Sequence, residues 1–123
     1  MNAEEIVKLN KEALYSSLAS RDIFGKFLNK SILNYAATME VFSFHKSGGI
    51  SYEKLCQDIP KFLGSRSSIQ NLLNEGLDNK LFIKVESKKD KRIKNYFLSD
   101  EFYYTVLDWI ETQRKIFNSW FIY

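Results

Sequence analysis

The sequence predicts a mainly α-helical chain with one small β-hairpin. Three observations predict it. Apolar residues recur at helical spacing over residues 3–44, 66–79 and 101–120. Two short alternating runs, "LFIKVES" (81–87) and "IKNYFLS" (93–99), read as paired strands. Between them "KKDKR" (88–92) supplies a polar, strongly basic tip. At 123 residues, 45% hydrophobic and 27% charged, the chain fits one domain of ordinary size, residues 1–123, able to bury a core.

The first helix is expected over 3–19. There Ile6, Leu9, Ala13, Leu14 and Leu18 fall near helical spacing among Glu and Lys, both good helix formers. Asp22 is placed to cap a second, long helix from Ile23 to Phe44, whose stripe includes Phe24, Phe27, Leu28, Ile32, Tyr35, Ala36, Met39 and Phe42. "KSGG" (46–49) ends it, because glycine accepts the left-handed conformation after a last turn. Ile50 reads as a very short strand. Ser51 then caps a helix that Pro60 stops, since proline lacks an N–H and clashes with the preceding turn. "PKFLG" is a turn, and Ser65 caps a helix through Asn79. Ile69, Leu72, Leu73, Gly76 and Leu77 form its core stripe, while Ser67, Gln70, Asn71 and Asn74 form a polar, almost uncharged opposite face. After the hairpin, Ser99 or Asp100 caps a last helix over 101–120.

Charge is unevenly spread. The net charge is only +3, yet residues 61–98 hold nine Lys or Arg against four acids. Such a concentration is the electrostatic footprint expected of a nucleic-acid surface. A single cysteine, Cys56, excludes an intrachain disulfide framework and suits a reducing cytosol. The acidic, amphipathic start lacks the features of a signal peptide, and no window approaches a membrane span. A cytoplasmic location is therefore expected. The lone His45, near a helix end, is expected at the surface, where a helix C-terminus favours a cation. No metal, cofactor or enzymatic activity is expected: there is no second histidine, glycine-rich phosphate loop, carboxylate pair or nucleophile–base pair. Cys56 is expected to be a small core residue.

Helix, short strand, helix, turn, helix, strand, basic tip, strand is the order of a winged helix-turn-helix, here over 50–98, with helices before it (1–46) and after it (100–121). In that architecture the second helix of the helix-turn-helix enters the major groove. Gln70, Asn71 and Asn74 carry amides that can bond a base edge, an adenine above all. Ser65, Arg66, Ser67 and Ser68 crowd the helix start, where backbone N–H groups favour a phosphate. Lys61, Lys88, Lys89 and Lys91 are candidate phosphate contacts. Alternatively, the polar face is solvated and the tip is an ordinary hairpin turn.

At "SRSSIQNLLNEGLDNKLFIK" and "KDKRIKNYFLSDE" the sequence resembles the multiple-antibiotic-resistance regulator (MarR) family of bacterial transcription factors. The likeness covers residues 50–105 well and the flanking helices loosely. Asp90 and Arg92 match the family's D-x-R wing. The resemblance implies that Arg92 reaches into a minor groove while Asp90 orients basic side chains. A narrow minor groove attracts Arg, and a carboxylate can hold a guanidinium bidentately. Two departures stand out. Lys80 occupies a place where the family usually has glycine, with Gly76 one turn earlier, and the family often has two helices after the wing rather than one.

The resemblance also implies dimerisation through the terminal helices. Ile6, Leu9, Leu14 and Leu18, with Trp109, Ile110, Ile116, Phe117 and Trp120, are the candidate dimerisation residues. They offer more apolar surface than one small domain easily covers. The sequence thus predicts a homodimeric, sequence-specific regulator of double-stranded DNA, in the repressor sense. A protein–protein or replication and partition adaptor without an operator is the alternative. The family often binds small aromatic acids. The aromatics here are also ordinary core, so a small-molecule effector is left open.

Overall fold

The computed structural model describes residues 2–19 and 21–118. Six α-helices and a three-stranded sheet follow in the order α1 (Ala3–Ala19), α2 (Ile23–Leu28), α3 (Ile32–Phe44), β1 (Ile50–Ser51), α4 (Tyr52–Asp58), a 3-10 turn (Lys61–Leu63), α5 (Arg66–Asp78), β2 (Phe82–Glu86), β3 (Lys94–Leu98) and α6 (Asp100–Asn118). The mainly helical architecture with a small sheet is the one predicted.

The expected long helix over 23–44 is two helices. Ser31 interrupts it: its hydroxyl accepts the Asn34 N–H at 3.0 Å and donates to Asn34 Oδ1 at 2.9 Å. The buried Asn34 amide in turn donates to the Phe27 carbonyl at 3.1 Å, tying the end of α2 to the start of α3. Serine and asparagine bond backbone better at a cap than inside a helix, and that preference outweighs the apolar stripe here. Asp22 holds the N-cap position of α2, but its side chain makes no capping bond. Ser51 and Ser65 cap as expected, each accepting an N–H three residues on at 3.1 Å. Ser99 caps α6 in the same way, accepting the Phe102 N–H at 3.3 Å.

The sheet order is β1-β3-β2, antiparallel throughout. Tyr96 in the central strand lies opposite Ile50 on one side and Lys84 on the other. The core gathers Leu55, Leu73, Leu81, Leu98, Val41 and Val106, all fully buried, around four rings. Phe102 stacks on Phe24 at 5.6 Å and meets Phe27 edge-on at 6.0 Å, and Phe27 meets Phe82 edge-on at 5.5 Å. α6 is therefore seated on the helix-turn-helix core by its first turn.

Lys80 and Gly76 have separate tasks. α5 ends in a Schellman motif: Lys80 N–H donates to Leu77 O at 3.1 Å and Leu81 N–H to Gly76 O at 2.8 Å. That motif puts Lys80 at φ 60°, in the left-handed region where a Cβ is strained. Lys80→Gly is expected to raise the unfolding free energy by up to about 1 kcal/mol, the relief of strain partly offset by a freer unfolded chain. A denaturation midpoint that does not rise would mean the lysine side chain supplies a compensating contact. Gly76 has a different task. A Cβ there would lie 2.3 Å from the Phe82 ring, so the ring packs directly on the helix backbone.

His45 corrects an expectation. It stands at the end of α3 as expected, but half-buried and as an acceptor, not as a surface cation. Its Nδ1 accepts the Leu98 N–H at 3.2 Å, and its ring stacks on Tyr103 at 4.5 Å. An accepting Nδ1 requires the uncharged ring. Burial lowers its pKa first, and Lys46 lowers it further against the pull of Asp100. The unfolded chain protonates His45 near its ordinary value of 6.5. The contact's stability is therefore present above that pH and is lost as pH falls through the lowered folded value. Acidifying from about pH 7 to about pH 5 is expected to lower the unfolding midpoint less in His45→Phe than in the wild type. Parallel declines would clear His45 of this part.

Candidate nucleic-acid interface

α5 and the hairpin flank one cavity of about 300 Å³. From the helix side Gln70 lines it, with Tyr52 and Glu53 from α4. From the hairpin come Lys84, Arg92, Lys94 and Tyr96. Gln70 on the polar face of α5 and the root of the wing are thus neighbours, which sequence order alone does not establish.

On α5 the predicted residues divide by their commitments. Ser65 and Ser68 are absorbed by the cap, their hydroxyls 3.1 Å apart. Ser67 is exposed. Arg66 is exposed but engaged: it pairs with Glu53 and lies over the Tyr52 ring at 5.2 Å from the centroid. The Tyr52 hydroxyl donates to the Arg66 carbonyl at 3.1 Å. These contacts clamp α4 to the first turn of α5, and Glu53 keeps the guanidinium strongly basic. Gln70 is half-buried and donates to Asn74 Oδ1 at 3.0 Å. Asn71 and Asn74 are exposed.

At the wing tip, Asp90 and Arg92 form a bidentate pair. Arg92 Nε donates to Oδ1 at 3.2 Å and Nη2 to Oδ2 at 3.1 Å, with the Arg92 N–H on Oδ1 at 3.0 Å. These bonds, the guanidinium's first, hold the Asp90 carboxyl below its usual range. The Arg92 side chain is still 91% exposed, so the pair aims it without covering it. Lys88, Lys89 and Lys91 are exposed and make no ion pair among the described residues, and the same holds for Lys61 on the 3-10 turn.

Sequence reasoning passed over four residues of this region. Tyr52 and Glu53 brace α5 through contacts thirteen and fourteen residues apart in the chain. Tyr96 is 3% exposed and lies behind Gln70. Lys84 joins the unpaired cations. Strand alternation could have placed it, since it shares a face with Phe82 and lies opposite Tyr96.

The terminal helices pack on each other within the chain. Ile6 and Ile116 are buried there, Leu9, Trp109 and Ile110 are half-buried, and Trp109 Nε1 donates to the Tyr35 hydroxyl at 3.1 Å. Leu14, Leu18 and Phe117 stay 40–53% exposed, beside exposed Val7 and Tyr15 on α1. Trp120 lies outside the described residues. Among the described residues, no helix is long and apolar enough to cross a membrane.

No protein-family model and no curated protein matches the chain. Solved structures do. S. aureus MepR in complex with DNA superposes with a TM-score of 0.54 at 14% identity, over 98% of this chain and 82% of that one. S. aureus MepR bound to ethidium bromide gives 0.59 at 17% identity, over 97% and 77%. The regulator BldR from Sulfolobus solfataricus gives 0.53 at 18% identity, over 97% and 84%. With Lactococcus lactis ZitR the match takes in 69% of this chain but only 56% of that one. In helix order and hairpin, the chain has the winged-helix fold of the MarR-family transcriptional regulators.

Proposed function

We propose that the chain is a sequence-specific, double-stranded DNA-binding transcriptional regulator that represses as a homodimer. One observation carries the reading: Gln70 on the amide-bearing face of α5 and Arg92 of the wing line a single cavity. A helix for the major groove and a cation for the adjacent minor groove are thereby presented together. In this reading Lys61, Lys88, Lys89 and Lys91 neutralise phosphates, and Lys84 joins them. Arg92, aimed by Asp90, enters the minor groove. Asn71 and Asn74 face bases. MepR, similar in fold, has been solved with DNA. The exposed Leu14, Leu18 and Phe117 supply the surface for a second copy, and a two-fold pair would match a palindromic site.

The test is fluorescence anisotropy of random duplex at several salt concentrations, with sedimentation for the oligomeric state. A steep fall of log affinity with log salt is expected, together with a dimer. No binding at low salt would sink the reading and favour a protein-binding winged helix.

A further inference from the structure

We propose that Glu53 is a positioning residue that withholds Arg66 from the DNA backbone and thereby limits the affinity for duplex of any sequence. The inference rests on the DNA-binding reading above and deepens it.

An acid stands where a polyanion is expected. The cavity between α5 and the hairpin has Lys84, Arg92 and Lys94 in its wall, and Glu53 is the one carboxylate lining it. A carboxylate there repels phosphate unless a cation answers its charge. That cation is Arg66, the first residue of α5, where backbone N–H groups already favour a phosphate.

α4 grips Arg66 at three points. Its Nη2 donates to Glu53 Oε1. Its guanidinium carbon lies 5.2 Å from the centre of the Tyr52 ring. The Tyr52 hydroxyl donates to its carbonyl at 3.1 Å. The Arg66 side chain is 58% exposed, against 91% for Arg92 beside Asp90. The two arginine–acid pairs therefore differ in kind. Asp90 stands two residues from Arg92 on one tip and leaves it reaching outward. Glu53 stands on another helix and draws Arg66 across onto α4. A guanidinium already neutralised by a carboxylate releases no counterion from a phosphate. Arg66, which the sequence places among the DNA contacts, is thus held in reserve, and the charge on residue 53 decides whether it takes part.

Anisotropy titrations of random duplex over a salt series test this, using the wild type, Glu53→Gln, Arg66→Ala and the double variant, with melting curves for each. Glutamine keeps the shape of the side chain and removes its charge. Glu53→Gln is expected to bind about fivefold more tightly, as much as an exposed ion pair is commonly worth. It should also steepen the fall of log affinity with log salt by about one unit, one added phosphate contact. In the Arg66→Ala background the same change should yield less than roughly half of either gain, because the two residues act as a pair. Glu53→Ala, at an exposed position, repeats the test should the glutamine carbonyl still hold the guanidinium. Equal gains with and without Arg66 would make Glu53 a plain repulsive charge and overturn the proposal. A merely structural brace would instead lower the melting temperature and weaken binding, which also overturns it. Salt-dependent binding that neither Glu53 variant alters overturns the proposal alone. No binding by any of the proteins overturns it together with the DNA-binding reading.

Discussion

Replacing Lys88, Lys89 and Lys91 together by alanine is expected to flatten the dependence of log affinity on log salt by about three units. The effect should be the same for every DNA sequence. The reason lies in what surrounds them. Of the two acids in the wing, Glu86 is held by Lys94 at 2.7 Å and Asp90 by Arg92 at 3.1 Å. The three lysines therefore meet solvent with no competing carboxylate, and each can release counterions from a phosphate. Arg66→Ala makes the informative contrast. Its charge is already shared with Glu53 and its ring contact braces α4, so the slope should change less than for one wing lysine. Measured slopes that do not move in the triple variant would make the basic tip a solvated turn after all.

Phe102→Ala is expected to remove about 3–5 kcal/mol of folding free energy, the range for a large ring deleted from a packed core. Domains commonly have only about 5–15 kcal/mol in total, so the loss would be a large share of the whole and should show as a marked fall in the unfolding midpoint. The ring is fully buried and touches Phe24, Phe27 and Phe82. Those contacts join α6 to α2 and to the first strand of the wing. The cavity would open where the terminal helix meets the rest of the fold, and neighbours held in α2 and β2 cannot all collapse into it. Phe117→Ala, on the same helix but half-exposed, should leave the denaturation midpoint of dilute protein nearly unchanged. A loss below about 1 kcal/mol for Phe102→Ala would show that α6 can be repacked from its other contacts.

What the sequence makes legible here is local. Ser51 and Ser65 announce their helices because a cap is decided within four residues. The hairpin is legible because alternation and a polar tip are adjacent in the chain. The break at Ser31 was open to reading in principle, from a serine followed three residues later by asparagine, but a continuous apolar stripe masked it. The candidate site is half visible. Asp90 and Arg92 find each other across two residues. Arg66 and Glu53, or Gln70 and Tyr96, meet only after folding, and no spacing rule joins them. His45 misled for the same reason: its acceptor role depends on Leu98, 53 residues away.

The contact at Gly76 has a mechanical consequence. With a hydrogen atom in place of a side chain, the backbone of α5 rests directly against the Phe82 ring. No rotatable bond of residue 76 stands between the two elements to act as a spring. α5 and the first wing strand are the two jaws of a caliper whose gap is set at its narrowest. A push on one jaw is passed to the other as displacement rather than absorbed as side-chain motion, so the pair should close on a surface as one rigid tool.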